Sequence, residues 1–238
     1  MENKTTIIIV VAIIAVFAAI IGIPIAMNGG KKTTVDYSKY DLNKVIGPNE
    51  DDGEIGDHVK GNENAQVMMV EYADFQCSGC ASVRTYVDKL IDKYEGKLGI
   101  IFRYYILSYH QNGTAAASAA EAAGLQGYWR EYGDLLFKNQ NEWFSASVSD
   151  RTELFTSYFK TVTKDQGNVD QFRSDLASER VAKRVAFDND MAENVIDVQA
   201  TPAFYIDGEF LDWSGAGANT EEKFINFFSE KIDAKLGS

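Results

Sequence analysis

Three regimes of apolar and polar positions follow one another along this chain. Residues 7–27 are apolar almost without a break and carry no charge, about the length a helix needs to cross a bilayer. From Gly29 to about Asn64 the chain is polar and rich in Gly, Asn, Asp and Lys, with neither a helical nor an alternating period. That is the pattern of a flexible tether, with only Val45, Ile46 and Val59 available to dock. Beyond it the apolar positions become regular. Val67-Met68-Met69-Val70-Glu71-Tyr72-Ala73 predicts a strand buried on both faces, and Ile100-Ile101-Phe102-Arg103-Tyr104-Tyr105-Ile106-Leu107 predicts a second. Between them Val83, Val87, Leu90, Ile91 and Tyr94 recur on one face of a helix, which completes a βαβ unit.

The next ninety or so residues read as helix only. Residues 114–124 are alanine-rich, a strong helix-forming composition. Trp129, Tyr132, Leu135 and Leu136 give a further apolar stripe. Asp150 with Glu153 resembles a capping pair ahead of Leu154, Phe155, Tyr158, Phe159 and Val162, and Val181, Val185, Ala192 and Val195 mark one more helix. The strand pattern resumes at Ala203-Phe204-Tyr205-Ile206, turns at Asp207-Gly208 and returns through Glu209-Phe210-Leu211. Phe224, Phe227, Phe228 and Ile232 define a last amphipathic helix. The expected architecture is α/β. An N-terminal tail and transmembrane anchor occupy residues 1–30 (helix about 7–27), a flexible polar linker 31–60, and one domain 61–238, interrupted by a helical insertion over about 111–196.

Charge narrows the partners. The net charge of −12 disfavours nucleic acid, whose phosphates are met by clustered Lys and Arg. The exit of the apolar run, Ile25-Ala26-Met27-Asn28, is a poor cleavage site, so a retained single-pass anchor is expected rather than a cleaved leader. Lys4 before the run and Lys31-Lys32 after it give only a small positive-inside bias, and it opposes an outward-facing C-terminal domain.

The only two cysteines stand two residues apart, as Cys77-Ser78-Gly79-Cys80, between the first strand and its helix. A disulfide across so short a loop removes little unfolded-state entropy, which argues against a purely structural bridge. A tetrahedral zinc site needs about four N/S ligands, and beyond these cysteines there are only two separated histidines, His58 and His110; no metal is expected. The spacing suits a dithiol in which one thiolate attacks and the other resolves. Cys77, at the helix N-terminus, meets the positive end of the peptide dipole and free N–H groups, which favour the thiolate. Cys80, one turn on, faces inward as the resolving thiol. A disulfide that opens and closes belongs to oxidising compartments, so the domain is expected on the extracytoplasmic side of the cell membrane.

Phe75-Gln76-Cys77-Ser78-Gly79-Cys80 after a buried strand resembles the active site of the thioredoxin superfamily. The long helical insertion, Tyr72-Ala73-Asp74-Phe75-Gln76-Cys77, and Ala200-Thr201-Pro202-Ala203-Phe204-Tyr205-Ile206-Asp207-Gly208 resemble its DsbA-like, membrane-tethered branch, from about Gly61 to the C-terminus. The resemblance implies a thioredoxin-like fold in which Pro202 is the family's cis-proline facing the dithiol, and Thr201 offers its backbone to an extended substrate segment. It also implies that Glu71 is a buried acid beneath the dithiol that shuttles the proton of the resolving cysteine; its apolar neighbours agree with burial. Two departures stand out. Ser78-Gly79 lacks the His that strongly oxidising members carry, and Ala200 replaces a Gly. His110 reads as a loop residue, and Asp74 is assigned no role.

The expected function is thiol:disulfide oxidoreduction, donating disulfides to exported proteins, with a membrane redox partner that recharges the dithiol and no organic cofactor. Two alternatives remain at this level: the same chemistry run as a reductase or isomerase, and a tethered binding or chaperone domain with a permanent bridge.

Overall fold

The computed structural model describes residues 35–237. The apolar run at 7–27, and with it the expected anchor, lies outside them. Among the described residues no helix is long and apolar enough to cross a membrane. Within the described residues five strands form one sheet: β1 (His58–Gly61), β2 (Val67–Ala73), β3 (Leu98–Tyr104), β4 (Ala203–Ile206) and β5 (Glu209–Phe210), in the order β1-β3-β2-β4-β5. β2 and β3 are parallel, pairing Val67 with Leu98 through Ala73 with Tyr104. β1 lies antiparallel on β3, and β4 antiparallel on β2. The parallel pair is mostly apolar and almost wholly buried, Glu71 and Arg103 being its two charged members, because helices cover both faces. β3 starts two residues earlier than the apolar run suggested and ends at Tyr104, leaving Tyr105, Ile106 and Leu107 to a loop.

α1 (Ser78–Lys93) crosses from β2 to β3. The block between β3 and β4 holds α2 (Gly113–Gly124), α3 (Trp129–Lys138), α4 (Gln140–Trp143), α5 (Val148–Thr163), α6 (Val169–Asp175) and α7 (Glu179–Met191), ending in a π-helical turn at Ala192–Ile196. α8 (Glu221–Leu236) closes the fold. The alanines of α2 are almost all buried, because side chains this small let the sheet and the neighbouring helices approach closely. The N-cap of α5 is Ser147, three residues before the expected Asp150: Ser147 Oγ accepts from the Asp150 N–H at 3.3 Å, a hydroxyl cap that satisfies a first-turn donor.

One core lies under the helical block, joining Ala73, Phe75, Phe102 and Tyr104 to Trp129, Tyr132, Phe159 and Phe172. A second fills the space between the sheet, α1 and α8, around Val87, Leu90, Ile100, Phe204 and Phe228. Cys77 and Cys80 belong to the first, where β2 hands over to α1.

The flexible-linker reading of residues 31–60 does not hold for residues 36–60. Tyr37, Ile46 and Asp52 are buried, as is the side chain of Asp57, and residues 58–61 form β1 rather than marking the start of the domain. The whole of Asp36–Ser238 forms one compact unit. The docking is polar, which is why no apolar period announced it. Arg103 on β3 donates to the Leu42 and Lys44 carbonyls at 2.6 and 3.0 Å. Asp57 pairs with Arg103 at 2.8 Å and with Arg184 of α7 at 3.0 Å, all three side chains fully buried. Tyr37 donates its hydroxyl to the Phe187 carbonyl at 2.9 Å. Of the expected docking residues Ile46 is buried, whereas Val45 is exposed.

Candidate active site

β2 ends at Ala73, and a short turn delivers Cys77 to the N-cap position of α1. Both cysteines are free thiols and both are buried, at 8% and 1% exposure. The turn is anchored from the helical block: Gln140 donates through Nε2 to the Phe75 carbonyl at 2.8 Å and to the Cys77 carbonyl at 3.1 Å. Gln76, next to Cys77, accepts from the Asn112 N–H at 2.7 Å and donates to the Phe144 carbonyl at 2.9 Å. The helical block is thus the back wall of the dithiol loop.

The two thiols are driven apart in acidity. The Cys77 thiol is lowered to about 5, chiefly by a hydrogen bond from the Cys80 thiol; the Thr201 side chain and the Cys80 and Gly79 backbone N–H groups add to this, while burial opposes it. The N–H groups are the free donors of the α1 N-terminus, the effect expected from placing a thiolate at a helix start. Cys80 is pushed well above its ordinary range, first by burial and then by the neighbouring Cys77. At neutral pH the reduced pair is a Cys77 thiolate beside a Cys80 thiol.

Thr201 and Pro202, far off in sequence, close the other side. The Thr201–Pro202 peptide bond is cis. Cys77 Sγ lies 3.3 Å from the Thr201 carbonyl oxygen, a hydrogen bond for the protonated thiol only, and Thr201 Oγ1 is buried without a hydrogen-bond partner, a donor in reserve for sulfur when it carries charge. Gly79 packs against this loop: a Cβ there would stand 3.3 Å from Pro202 Cδ, a slightly tight contact, and 3.5 Å from both the Thr201 carbonyl oxygen and Cys77 Sγ, ordinary van der Waals distances.

Glu71 lies on β2 opposite Phe102 and Phe204, fully enclosed, with Oε2 unpartnered. Burial raises its carboxyl, while Lys60 and Arg84 pull the other way. Lys60, brought in by the unforeseen β1, is lowered by its own burial. Arg84, from α1, is engaged by Asp134 and Asp88. Glu71 is therefore a carboxyl biased towards keeping its proton, and its charge is felt at Cys80. The structure thus brings together all five residues singled out in the sequence: Cys77, Cys80, Glu71, Thr201 and Pro202. Sequence reasoning missed Gln140 and Lys60, and it left Asp74 and His110 without roles. Asp74 is fully buried, and His110 Nδ1 lies 2.6 Å from its Oδ2. Two buried polar residues flanking a dithiol at positions 74 and 76 were the signal available for that loop.

A family model described as Thioredoxin (Thioredoxin_4) matches residues 54–226. Among curated proteins, the chain is 35% identical over 152 residues to a Na(+)/H(+) antiporter NhaA 3 of Salinispora tropica, covering 64% of this chain and 22% of that protein. It is 34% identical over 201 residues to a Na(+)/H(+) antiporter NhaA of Herminiimonas arsenicoxydans, covering 82% of this chain and 29% of that protein. The chain therefore spans less than a third of the length of these relatives. Among solved structures, oxidised BdbD from Bacillus subtilis superposes with a TM-score of 0.60 at 20% identity, over 82% of this chain and all of that one. Wolbachia pipientis alpha-DsbA1 gives 0.57 at 24% identity, over 76% of this chain and 91% of that one. MdbA, a thiol-disulfide oxidoreductase from Corynebacterium diphtheriae, gives 0.52 at 20% identity, over 80% and 98%. These likenesses are to the fold.

Proposed function

From the chain's membership of the thioredoxin family, we propose that it is a DsbA-type thiol:disulfide oxidoreductase whose Cys77–Cys80 pair donates disulfides to exported proteins. The observation that carries this reading is the asymmetry of the pair: a thiol lowered to about 5 beside one raised by burial, both against the Thr201–Pro202 loop. A stabilised thiolate stabilises the reduced form, and a protein with a stable reduced form is a strong oxidant when its disulfide is closed. That supports donation over reduction, even with no His between the cysteines. Here uncharged donors stabilise the thiolate in place of a cation.

The exchange balances as follows. A substrate thiolate attacks Cys77 Sγ in the closed disulfide; the Cys77–Cys80 bond breaks, and the electron pair leaves on Cys80, which takes a proton. We assign that proton to Glu71, the carboxyl beneath it that burial biases towards keeping its proton. The substrate's second thiolate then attacks the substrate sulfur of the mixed disulfide, and Cys77 leaves as a thiolate. Two electrons have passed from the substrate dithiol to the protein. Of the two substrate thiol protons, one is matched by the proton now on Cys80, and the other is released to solvent.

Thr201 would present its backbone to an extended substrate segment that reaches Cys77. No metal or organic cofactor enters the scheme, because the dithiol itself carries the electrons. A disulfide of this kind works in an oxidising compartment, so the domain is placed outside the cell membrane, on the single-pass anchor expected at residues 7–27, with a membrane redox partner that reoxidises the dithiol. The test is trapping. Full-length protein carrying Cys80→Ser should accumulate mixed disulfides through Cys77 with exported proteins. If no partner accumulates on Cys77, the site is a static bridge or binding module.

A further inference from the structure

The residue at a helix N-cap is ordinarily fixed by its own side chain, whose oxygen accepts from a first-turn N–H. At α1 that residue is Cys77, and its sulfur makes no capping hydrogen bond; a thiol that exchanges with other chains has to stay free. Cys77 is extended, with φ −74° and ψ 122°, and bonds to its main chain hold it there. Its N–H donates to the Asp74 carbonyl at 3.0 Å, and its carbonyl accepts from the Ala81 N–H at 3.1 Å. Gln140 supplies the remaining bond. Its amide nitrogen carries two hydrogens and reaches the Phe75 carbonyl at 2.8 Å and the Cys77 carbonyl at 3.1 Å. One side chain from the helical block therefore ties down both ends of the 75–77 segment. Gln140 is itself held. It is buried and opens α4, where its carbonyl accepts from the Phe144 N–H at 2.9 Å. At the other end of α4, Trp143 is fully buried and donates Nε1 to the Leu136 carbonyl at 3.0 Å. Asn112 Nδ2 donates to the Trp143 and Ala146 carbonyls at 2.9 and 3.1 Å. The amide is thus presented to the dithiol turn from a fixed place, as a preorganised site requires.

We propose that Gln140 is a positioning residue for the attacking thiol: by clamping the Phe75 and Cys77 carbonyls it fixes the Cys77 peptide, so that the sulfur faces the start of α1 and the Thr201–Pro202 loop. This inference rests on the thiol-exchange reading. Gln140 touches no reacting atom and acts only through the main chain. With the Cys77 carbonyl released, rotation about the Cα–C bond of Cys77 moves the sulfur relative to the Gly79 and Cys80 N–H groups, which help to lower its thiol. Hydrogen bonds weaken steeply as they lengthen and bend, so a small rotation weakens the thiolate before it unfolds the helix. In the closed disulfide the sulfur carries no charge and does not depend on those donors. Loss of the clamp therefore destabilises the reduced form more than the oxidised one, and the reduction potential falls.

The test compares full-length wild type with Gln140→Met, Gln140→Glu and Tyr132→Phe. Gln140→Met keeps the length and bulk of the side chain without a donor. Gln140→Glu keeps one donor while its carboxyl is protonated. Tyr132→Phe is the control: it deletes another buried bond of the helical block, from the Tyr132 hydroxyl to the Phe155 carbonyl at 2.9 Å, and that bond does not involve the dithiol turn. The reduced-minus-oxidised absorbance at 240 nm gives the Cys77 thiolate midpoint, and glutathione buffers give the reduction potential. Gln140→Met should raise the midpoint by about one pH unit, a tenfold loss in the thiolate–thiol ratio, and lower the potential by about 30 mV, the equivalent of that tenfold. Gln140→Glu should shift both by less, and Tyr132→Phe should lose stability to urea with neither moved. A purely structural Gln140 predicts lower stability with a wild-type midpoint and potential. That outcome overturns the proposal, and Gln140→Glu decides alone if Gln140→Met does not fold. Equal shifts in Tyr132→Phe overturn it as well, because any loosening of the block would then suffice. If wild type shows neither a thiolate titration nor equilibration with glutathione, the redox reading fails at its root; if wild type shows both and the Gln140 variants match it, this inference alone falls.

Discussion

At the scale of residues, the function rests on an imbalance between two sulfurs. Cys77 is lowered to about 5, mainly by the Cys80 thiol, so the 240 nm thiolate absorbance of the reduced protein should titrate with a midpoint near 5. A midpoint near 8.5, the value of an unperturbed cysteine, would remove the basis for attack by Cys77. Stability follows by linkage. The folded-state value lies below the unfolded one, so the thiolate stabilises the reduced fold fully above about pH 9, loses that contribution as pH falls, and adds nothing below about pH 5. The oxidised form has no such titration. The gap in unfolding free energy between the two forms should therefore change with pH across that window, measurable by urea unfolding of each form. Glu71→Gln removes the buried acid but keeps its shape, and it should slow resolution of a preformed Cys77 mixed disulfide by about 10²-fold. An unchanged lifetime would assign the proton of Cys80 to water instead. The two cysteines could be picked from the sequence by their spacing, and Glu71, Thr201 and Pro202 through the family resemblance of the segments that hold them. Gln140, Lys60 and the Asp74–His110 contact could not, since each acquires meaning only when a distant segment folds onto the dithiol turn.

Element by element, the parallel pair of strands and the helix between them were legible because their apolar periods are long and uninterrupted. β1 was not. His58-Val59-Lys60-Gly61 is short, polar, and paired only with β3, an edge strand that advertises nothing by pattern. The segment before it was misread for the same reason, since a strap held by guanidinium groups looks like a tether in a hydropathy profile. Asp57 tests that strap. It is shared between Arg103 and Arg184, all fully buried. Removing one member of a buried ionic set leaves the others without compensation, so Asp57→Ala should cost about 3–5 kcal/mol, read as a fall in the urea midpoint. A loss below about 1 kcal/mol, the range of surface pairs, would mean that the strap is docked without contributing to stability.

For the whole molecule, the strap moves the boundary of the folded unit towards the N-terminus. A fragment spanning residues 36–238 should unfold cooperatively, whereas one spanning 62–238 should lack a cooperative transition, because it loses β1 and uncovers Arg103 and Arg184. Far-UV circular dichroism against urea distinguishes the two. Cooperative unfolding of the shorter fragment would restore the tether reading. The helical block has a related global role. Through Gln140 and the 107–113 loop it grips the dithiol turn, so that residues on either side of the central sheet meet at one site. The central claim is that this site makes the closed disulfide a strong oxidant, and the reduction potential of Cys77–Cys80 in glutathione buffers tests it most directly. The account predicts a value nearer about −120 mV, the strong-oxidant end, than about −270 mV, the thioredoxin end. A value at the thioredoxin end would contradict disulfide donation and make the protein a reductase, and a pair that never equilibrates would leave only a structural bridge.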